Sequence, residues 1–135
     1  MITFALDTNI ISFYMRKNEV VRQNFKKAVQ SKSTILIAPF AYYEVRRGLL
    51  ASNATRQLKD FDNLCRRVRV GELDNAILNP SSEIYSALRT KGWTIDEIDI
   101  LIAAFCKVHD CTLVTNNTRH FEHIPGLALA DWSAA

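Results

Sequence analysis

Apolar residues along this chain fall into two kinds of segment. Ile2–Leu6, Thr34–Ala38 and Thr112–Thr115 are short, nearly unbroken apolar runs. Such runs lack the polar alternation of a half-solvated strand and read as strands buried on both faces. Leu127–Leu129 is a weaker run of the same kind, and Val68–Val70 a brief extended piece. Between them, apolar positions recur at helical spacing. This predicts helices over Ile10–Met15, Val20–Gln30, Pro39–Leu50, Ala54–Arg67 and Asn75–Thr90. Pro39 sits where a first helical turn tolerates proline. Thr94-Ile95-Asp96-Glu97 fits a capping box opening a further helix that runs to about His109. Buried strands alternating with helices predict an α/β protein, a three-layer α/β/α sandwich around a central, mostly parallel sheet. In such sheets, sites form at the carboxyl ends of the strands.

The bulk properties narrow this picture little. At 135 residues the expectation is a single domain, 1–135, burying roughly two-thirds of its extended surface. The 48% apolar and 23% charged content is that of a globular chain and excludes a disordered one. No apolar run approaches the ~20 residues that cross a bilayer, and no basic segment leads into a cleavable apolar stretch. A cytoplasmic location without a membrane partner is therefore expected. Cys65, Cys106 and Cys111 lack C-x-x-C spacing and read as buried thiols of a reducing compartment. The net charge of +3 does not by itself call for nucleic acid. Its clusters, Arg16-Lys17, Lys26-Lys27, Arg46-Arg47 and Arg66-Arg67 with Arg69, are either solvated helix faces or attractors of phosphate.

Three carboxylates stand out against this background. Asp7 follows the first strand directly, where it caps the next helix, in competition with Thr8 or Asn9, or holds something positive. Glu44 lies in APFAYYEVRRGLL, sharing a helix side with Phe40, Ala41 and Gly48 and having Arg47 within pairing distance. Gly48 costs about 1 kcal/mol in a helix interior, which suggests that something approaches closely there. Asp99 is the only polar residue in IDILIAAFC, with Ile102, Ala103 and Cys106 beside it, and it lies beyond the expected first turn, so capping does not explain it. A buried carboxylate is costly unless paired or bound to a metal. The strand TLVT then brings Asn116 and Asn117 to the same rim. Two like charges about 4 Å apart repel by about 4 kcal/mol at an effective dielectric near 20, so a cluster of acids calls for a cation. An all-oxygen donor set points to Mg2+ or Mn2+ ahead of Zn2+.

LDTN at 6–9, Glu44 in YYEVRRG, DILIAA at 99–104, LVTNNTRHFEHIPGL at 113–127 and the closing ADW at 130–132 together resemble a PIN domain, and more narrowly the VapC toxins of bacterial toxin–antitoxin pairs. The resemblance covers nearly the whole chain. It implies an endoribonuclease dependent on Mg2+ or Mn2+ whose metal is held by Asp7, Glu44 and Asp99, with RNA as substrate. It also implies a homodimer and a VapB-type antitoxin that blocks the site. Many relatives carry a fourth acid where this chain has Asn117, an amide that adds no charge, so one ion per site is the expectation. Asp96 and Glu97 stand near enough to help through water, though first-turn capping also accounts for both. Thr8, Asn9 and Thr115 are expected to orient the acids. Arg46, Arg47 and Arg119 are the candidate contacts to the RNA backbone.

Three rival readings exist. A haloacid-dehalogenase-type phosphatase needs a second aspartate where this chain has Asn9. A metal-free ribonuclease would use paired histidines, and His120 and His123 are available, although a surface turn explains them equally. A PIN-like scaffold that binds RNA or a protein without cutting is favoured only by Asn117. Trp93 and Trp132 read as packing residues, as does one of Tyr42 and Tyr43, the other being available to stack on a base.

Overall fold

The computed structural model describes residues 1–134. In chain order the elements are β1 (Thr3–Leu6), α1 (Thr8–Met15), α2 (Glu19–Gln30), β2 (Thr34–Ile37), α3 (Pro39–Ala51), α4 (Thr55–Arg67), a 3-10 turn (Asn75–Ile77), α5 (Leu78–Thr90), α6 (Glu97–Val108), β3 (Thr112–Val114), α7 (Thr118–Phe121) and β4 (Leu129–Ala130). Among the described residues the sheet has four strands in the order β2-β1-β3-β4. Every pairing is parallel, with Leu6 opposite Ile37 on one side and Val114 on the other. Val70 adds an isolated parallel bridge to Ile37 beyond β2. Successive strand residues point to opposite faces. Ala5 with Leu6, Ile35 through Ile37, and Leu113 with Val114 are all buried, so both faces of the sheet are covered. That is the α/β/α sandwich expected from the unbroken apolar runs.

Five helices stop in the same way. Lys17, Lys32, Asn53, Gly92 and Asp110 all have positive φ. The amide after each reaches back to close the last turn, as in Asn18 N to Phe13 O at 2.9 Å and Cys111 N to Cys106 O at 2.9 Å. These are left-handed C-terminal caps, formed mostly without glycine. Trp132 is buried against Phe4 and Phe25 and pins the C-terminal segment to β1 and α2.

Four expectations change. The capping box at Thr94 does not form. Asp96 takes the N-cap position with extended backbone, its carbonyl accepts from Ile100 N, and its side chain makes no capping bond. An N-cap residue type two positions downstream displaces Thr94, so α6 starts at Glu97. Asp99 therefore lies inside the first turn of α6. The last strand is Leu129–Ala130, about two residues later than the apolar run suggested, because its register is set by pairing with β3. Gly48 is exposed and nothing lies within 4 Å of where its Cβ would stand, so no close approach explains it.

β1 is the point at which the strand order reverses, with β2 on one side and β3 on the other. The crevice outside the carboxyl ends of β1 and β3 is where open parallel sheets place their sites. Asp7 and Thr115 are the residues that follow those two strands.

Candidate active site

Asp7 N donates to Val114 O at 3.0 Å, extending the β1–β3 pairing by one bond and fixing the carboxylate at the crevice. One oxygen of Asp7, Oδ1, accepts from Thr8 N at 2.8 Å, which makes Asp7 the N-cap of α1. The other, Oδ2, accepts from the buried Thr115 hydroxyl at 3.0 Å. Capping and a role at the crevice thus coexist in one residue. Asp7 is only 7% exposed, and no Lys or Arg among the described residues pairs with it. Burial outweighs the two hydrogen bonds and, aided by the charges of Asp99 and Glu44, pushes its pKa up to about 6.

Glu44 reaches the same place from the middle of α3. Its Oε1 accepts from the Thr8 hydroxyl at 2.5 Å, so Thr8 holds Asp7 through its backbone and Glu44 through its side chain. The opposite oxygen of Glu44 lies 3.7 Å from an Arg47 guanidinium nitrogen, an exposed contact one helical turn away. Both readings of Glu44, surface pair and inward acid, are therefore present at once. Asp99 arrives from the first turn of α6, with 21% of its side chain exposed. Its Oδ2 lies 3.0 Å from His120 Nε2 on α7. Burial raises its pKa, the His120 hydrogen bond and charge counter that, and Glu44 and Asp96 add to it.

The three acids are thus electrostatic neighbours brought together by β1–α1, α3 and α6. They are loosely gathered. Among the described residues no three His, Cys, Asp or Glu side chains close into a ready-made cage. Each acid is turned toward its own hydrogen-bond partners. The set still fits a hard divalent ion in kind and in charge. The donors are carboxylate oxygens, and the most buried of them lacks a cationic partner. Burial drives the Cys106 thiol well up, which leaves it a packing group.

The remaining candidates divide. Thr8 and Thr115 touch the acids as expected, and the Asn117 amide donates to the Thr115 hydroxyl at 3.1 Å. The Asn117 side chain itself is exposed and makes no capping bond for α7. Asn9 donates to Asn116 Oδ1 at 3.2 Å and makes no hydrogen bond to the three acids among the described residues. Asp96 and Glu97 are exposed at the start of α6. Arg46 pairs with Asp62 of α4 at 3.0 Å. Arg47 lies over the exposed Tyr43 ring at 5.1 Å, while Tyr42 packs on Phe61. Arg119 is exposed on α7. The two histidines do not pair. His120 faces Asp99, and His123 stacks on Trp93 at 4.2 Å. The contact between His120 and Asp99 was not foreseen, because it joins residues 21 apart through a four-residue helix too short to show a period.

Comparison with known proteins identifies the family and the fold. The PIN domain pattern matches residues 4–127. The chain is 31% identical over 134 residues to the tRNA(fMet)-specific endonuclease VapC of Salmonella typhimurium, covering 98% of this chain and 99% of that protein. It superposes on the structure of VapBC2 from Rickettsia felis bound to a promoter DNA fragment with a TM-score of 0.89, at 26% identity, over 97% of this chain and 99% of that one. Against DNA-bound VapBC from Salmonella typhimurium the TM-score is 0.88 at 30% identity, covering 98% and 99% of the two chains. With the domain pattern matched over nearly its full length and relatives aligned end to end, the chain belongs to the PIN-domain family and, within it, to the VapC proteins.

Proposed function

We propose that this chain is a divalent-metal-dependent endoribonuclease and the toxin of a VapBC-type toxin–antitoxin pair, with Asp7, Glu44 and Asp99 as the residues that hold Mg2+ or Mn2+. The observation that carries the reading is the approach of three acids from separate elements near the β1–β3 switch point, the most buried of them paired with no Lys or Arg among the described residues. Relatives named as ribonucleases and as tRNA-specific endonucleases support RNA as the substrate. Solved VapBC complexes support a VapB-type antitoxin as partner. A homodimer is part of the same proposal.

The chemistry supplied by such an ion is a lowered pKa for a bound water and compensation of charge at the scissile phosphate. The chain's own contribution is placement. Thr8 ties Asp7 to Glu44, Thr115 fixes the second oxygen of Asp7, and the Asn117 backbone steadies Thr115. Asp99 or Glu44, both more exposed than Asp7, positions the attacking water or takes its proton. Arg47 and Arg119, both exposed, would supply cations for the RNA backbone.

Asp7→Asn, Glu44→Gln and Asp99→Asn should each lower kcat/KM on a tRNA substrate by on the order of 100-fold or more, the several kcal/mol expected of a disabled metal site. Each should keep its circular dichroism spectrum, and excess EDTA should silence the unsubstituted chain. Cleavage that survives EDTA, or that survives both aspartate substitutions, rules the proposal out. A second reading, a non-cleaving RNA-binding scaffold, is favoured by the uncharged, exposed Asn117 alone. It predicts retained RNA binding and no cleavage with Mn2+ supplied.

A further inference from the structure

Asp7 and Glu44 are held by hydroxyl and backbone donors on β1–α1 and at the end of β3. Asp99 has neither kind of neighbour. The helix around it is apolar, with Ile100, Ile102 and Ala103 buried, and no backbone amide or hydroxyl among the described residues donates to its carboxylate. The one polar group that meets it is the His120 imidazole, with Nε2 at 3.0 Å from Oδ2. Oδ1 of Asp99 carries no hydrogen bond among the described residues.

His120 is itself held from several sides. Its amide donates to Asn117 O at 3.0 Å. Its carbonyl accepts from the Trp93 indole at 3.4 Å. Its ring stands edge-on to Phe121, with centroids 5.2 Å apart and planes at 87°. Phe121 is almost fully enclosed by the core. The short helix α7 thus drives one aromatic into the core and presents the next residue back along the chain to the acid. With Asp99 ionised, its carboxylate can only accept, and the 3.0 Å contact then requires Nε2 to carry the proton. A nitrogen that donates to Asp99 is not available to ligate an ion.

We propose that His120 is a positioning residue for Asp99: its Nε2–H holds Oδ2, fixes the carboxylate rotamer and leaves Oδ1 turned toward the crevice for a divalent cation. The inference rests on the metal-dependent reading above and assigns His120 no ligand and no proton-transfer role. Groups that orient a ligating carboxylate are worth about 10- to 100-fold in metal affinity.

The test is a titration of Mn2+ alone, without RNA, into the full chain and its variants, followed by calorimetry or by the electron paramagnetic resonance signal of free Mn2+. His120→Ala should weaken Mn2+ binding about 10- to 100-fold. His120→Gln, which keeps an N–H donor of similar reach but no imidazole, should stay within a few-fold of the unsubstituted chain. Thermal unfolding monitors the fold of both. Cleavage by His120→Ala should be deficient at low Mn2+ and recover at saturating Mn2+, a response that general loss of packing would not give. Equal Mn2+ affinity in all three proteins overturns the positioning role and leaves the nuclease reading standing. An equal loss in His120→Ala and His120→Gln, with both folded, also overturns it and makes the imidazole itself a ligand. No Mn2+ binding by the unsubstituted chain removes the underlying reading, and this proposal with it.

Discussion

Burial makes the ionised Asp7 carboxylate costly to the fold. Its pKa near 6 means that, between about pH 4 and pH 6, the native chain keeps a proton on Asp7 that the unfolded chain gives up. Wherever the native state binds more protons, stability falls as pH rises. The Asp7 contribution is therefore a loss that builds through that window and is fully present above it. Its size is on the order of 3 kcal/mol. Asn at position 7 keeps the capping oxygen for Thr8 N and offers Thr115 a donor in place of an acceptor, and it is as good an N-cap as Asp. Asp7→Asn should therefore unfold at higher urea than the unsubstituted chain at pH 7.5 in EDTA, with the difference shrinking toward zero near pH 4. Parallel stability profiles for the two proteins would show that burial does not tax this carboxylate.

At the scale of elements, α3 and the segment after α4 contain two glycines with opposite environments. Gly48 is interior to α3 and a Cβ there would meet nothing within 4 Å. Gly48→Ala should stabilise the chain by about 0.5–1 kcal/mol, since it only removes backbone freedom from the unfolded state. A Cβ at Gly71 would sit 2.5 Å from Phe105 Cζ, and Phe105 is a core residue of α6. Gly71→Ala should destabilise by about 1–3 kcal/mol, the usual range for overpacking. Guanidinium unfolding of both variants checks the pair, and equal shifts would contradict the packing described. The same contrast separates what was legible in the sequence from what was not. Strands buried on both faces announce themselves as apolar runs, and long helices by their period, so β1, β2, β3 and α1 to α5 fall near their expected places. The start of α6 did not, because Thr94 and Asp96 are both competent N-caps and only tertiary packing chooses between them. α7 was unreadable, since a four-residue turn has no period. The acids were readable one at a time, as charges in apolar company. Their donors were not, because Thr8 to Glu44 and Thr115 to Asp7 join residues 36 and 108 apart.

For the whole molecule, the site is a place where β1–α1, α3 and α6 are held against mutual repulsion. On the proposed function, an ion shared by the three acids would need those elements assembled, so it would bind the folded chain and leave the unfolded one alone. Mass action then couples metal to stability: at 100 times its Kd a ligand of this kind adds about 2.7 kcal/mol. For a chain of this length that corresponds to a rise of roughly 10 °C in Tm. The unsubstituted chain should therefore climb in Tm with Mn2+ concentration, while Asp7→Asn and Asp99→Asn stay flat. Set against the roughly 3 kcal/mol of the pH argument, this makes the two Tm curves converge near 100 times Kd and cross above about 150 times Kd. Asp7→Asn should be the more stable protein in EDTA at pH 7.5 and should lose that lead as Mn2+ is added, because on the proposed function the residue whose burial costs stability is also the one that would hold the ion. Differential scanning calorimetry across a Mn2+ series measures both limbs. Parallel curves, with Asp7→Asn ahead at every concentration, would mean that the buried carboxylate serves α1 as a cap and nothing else.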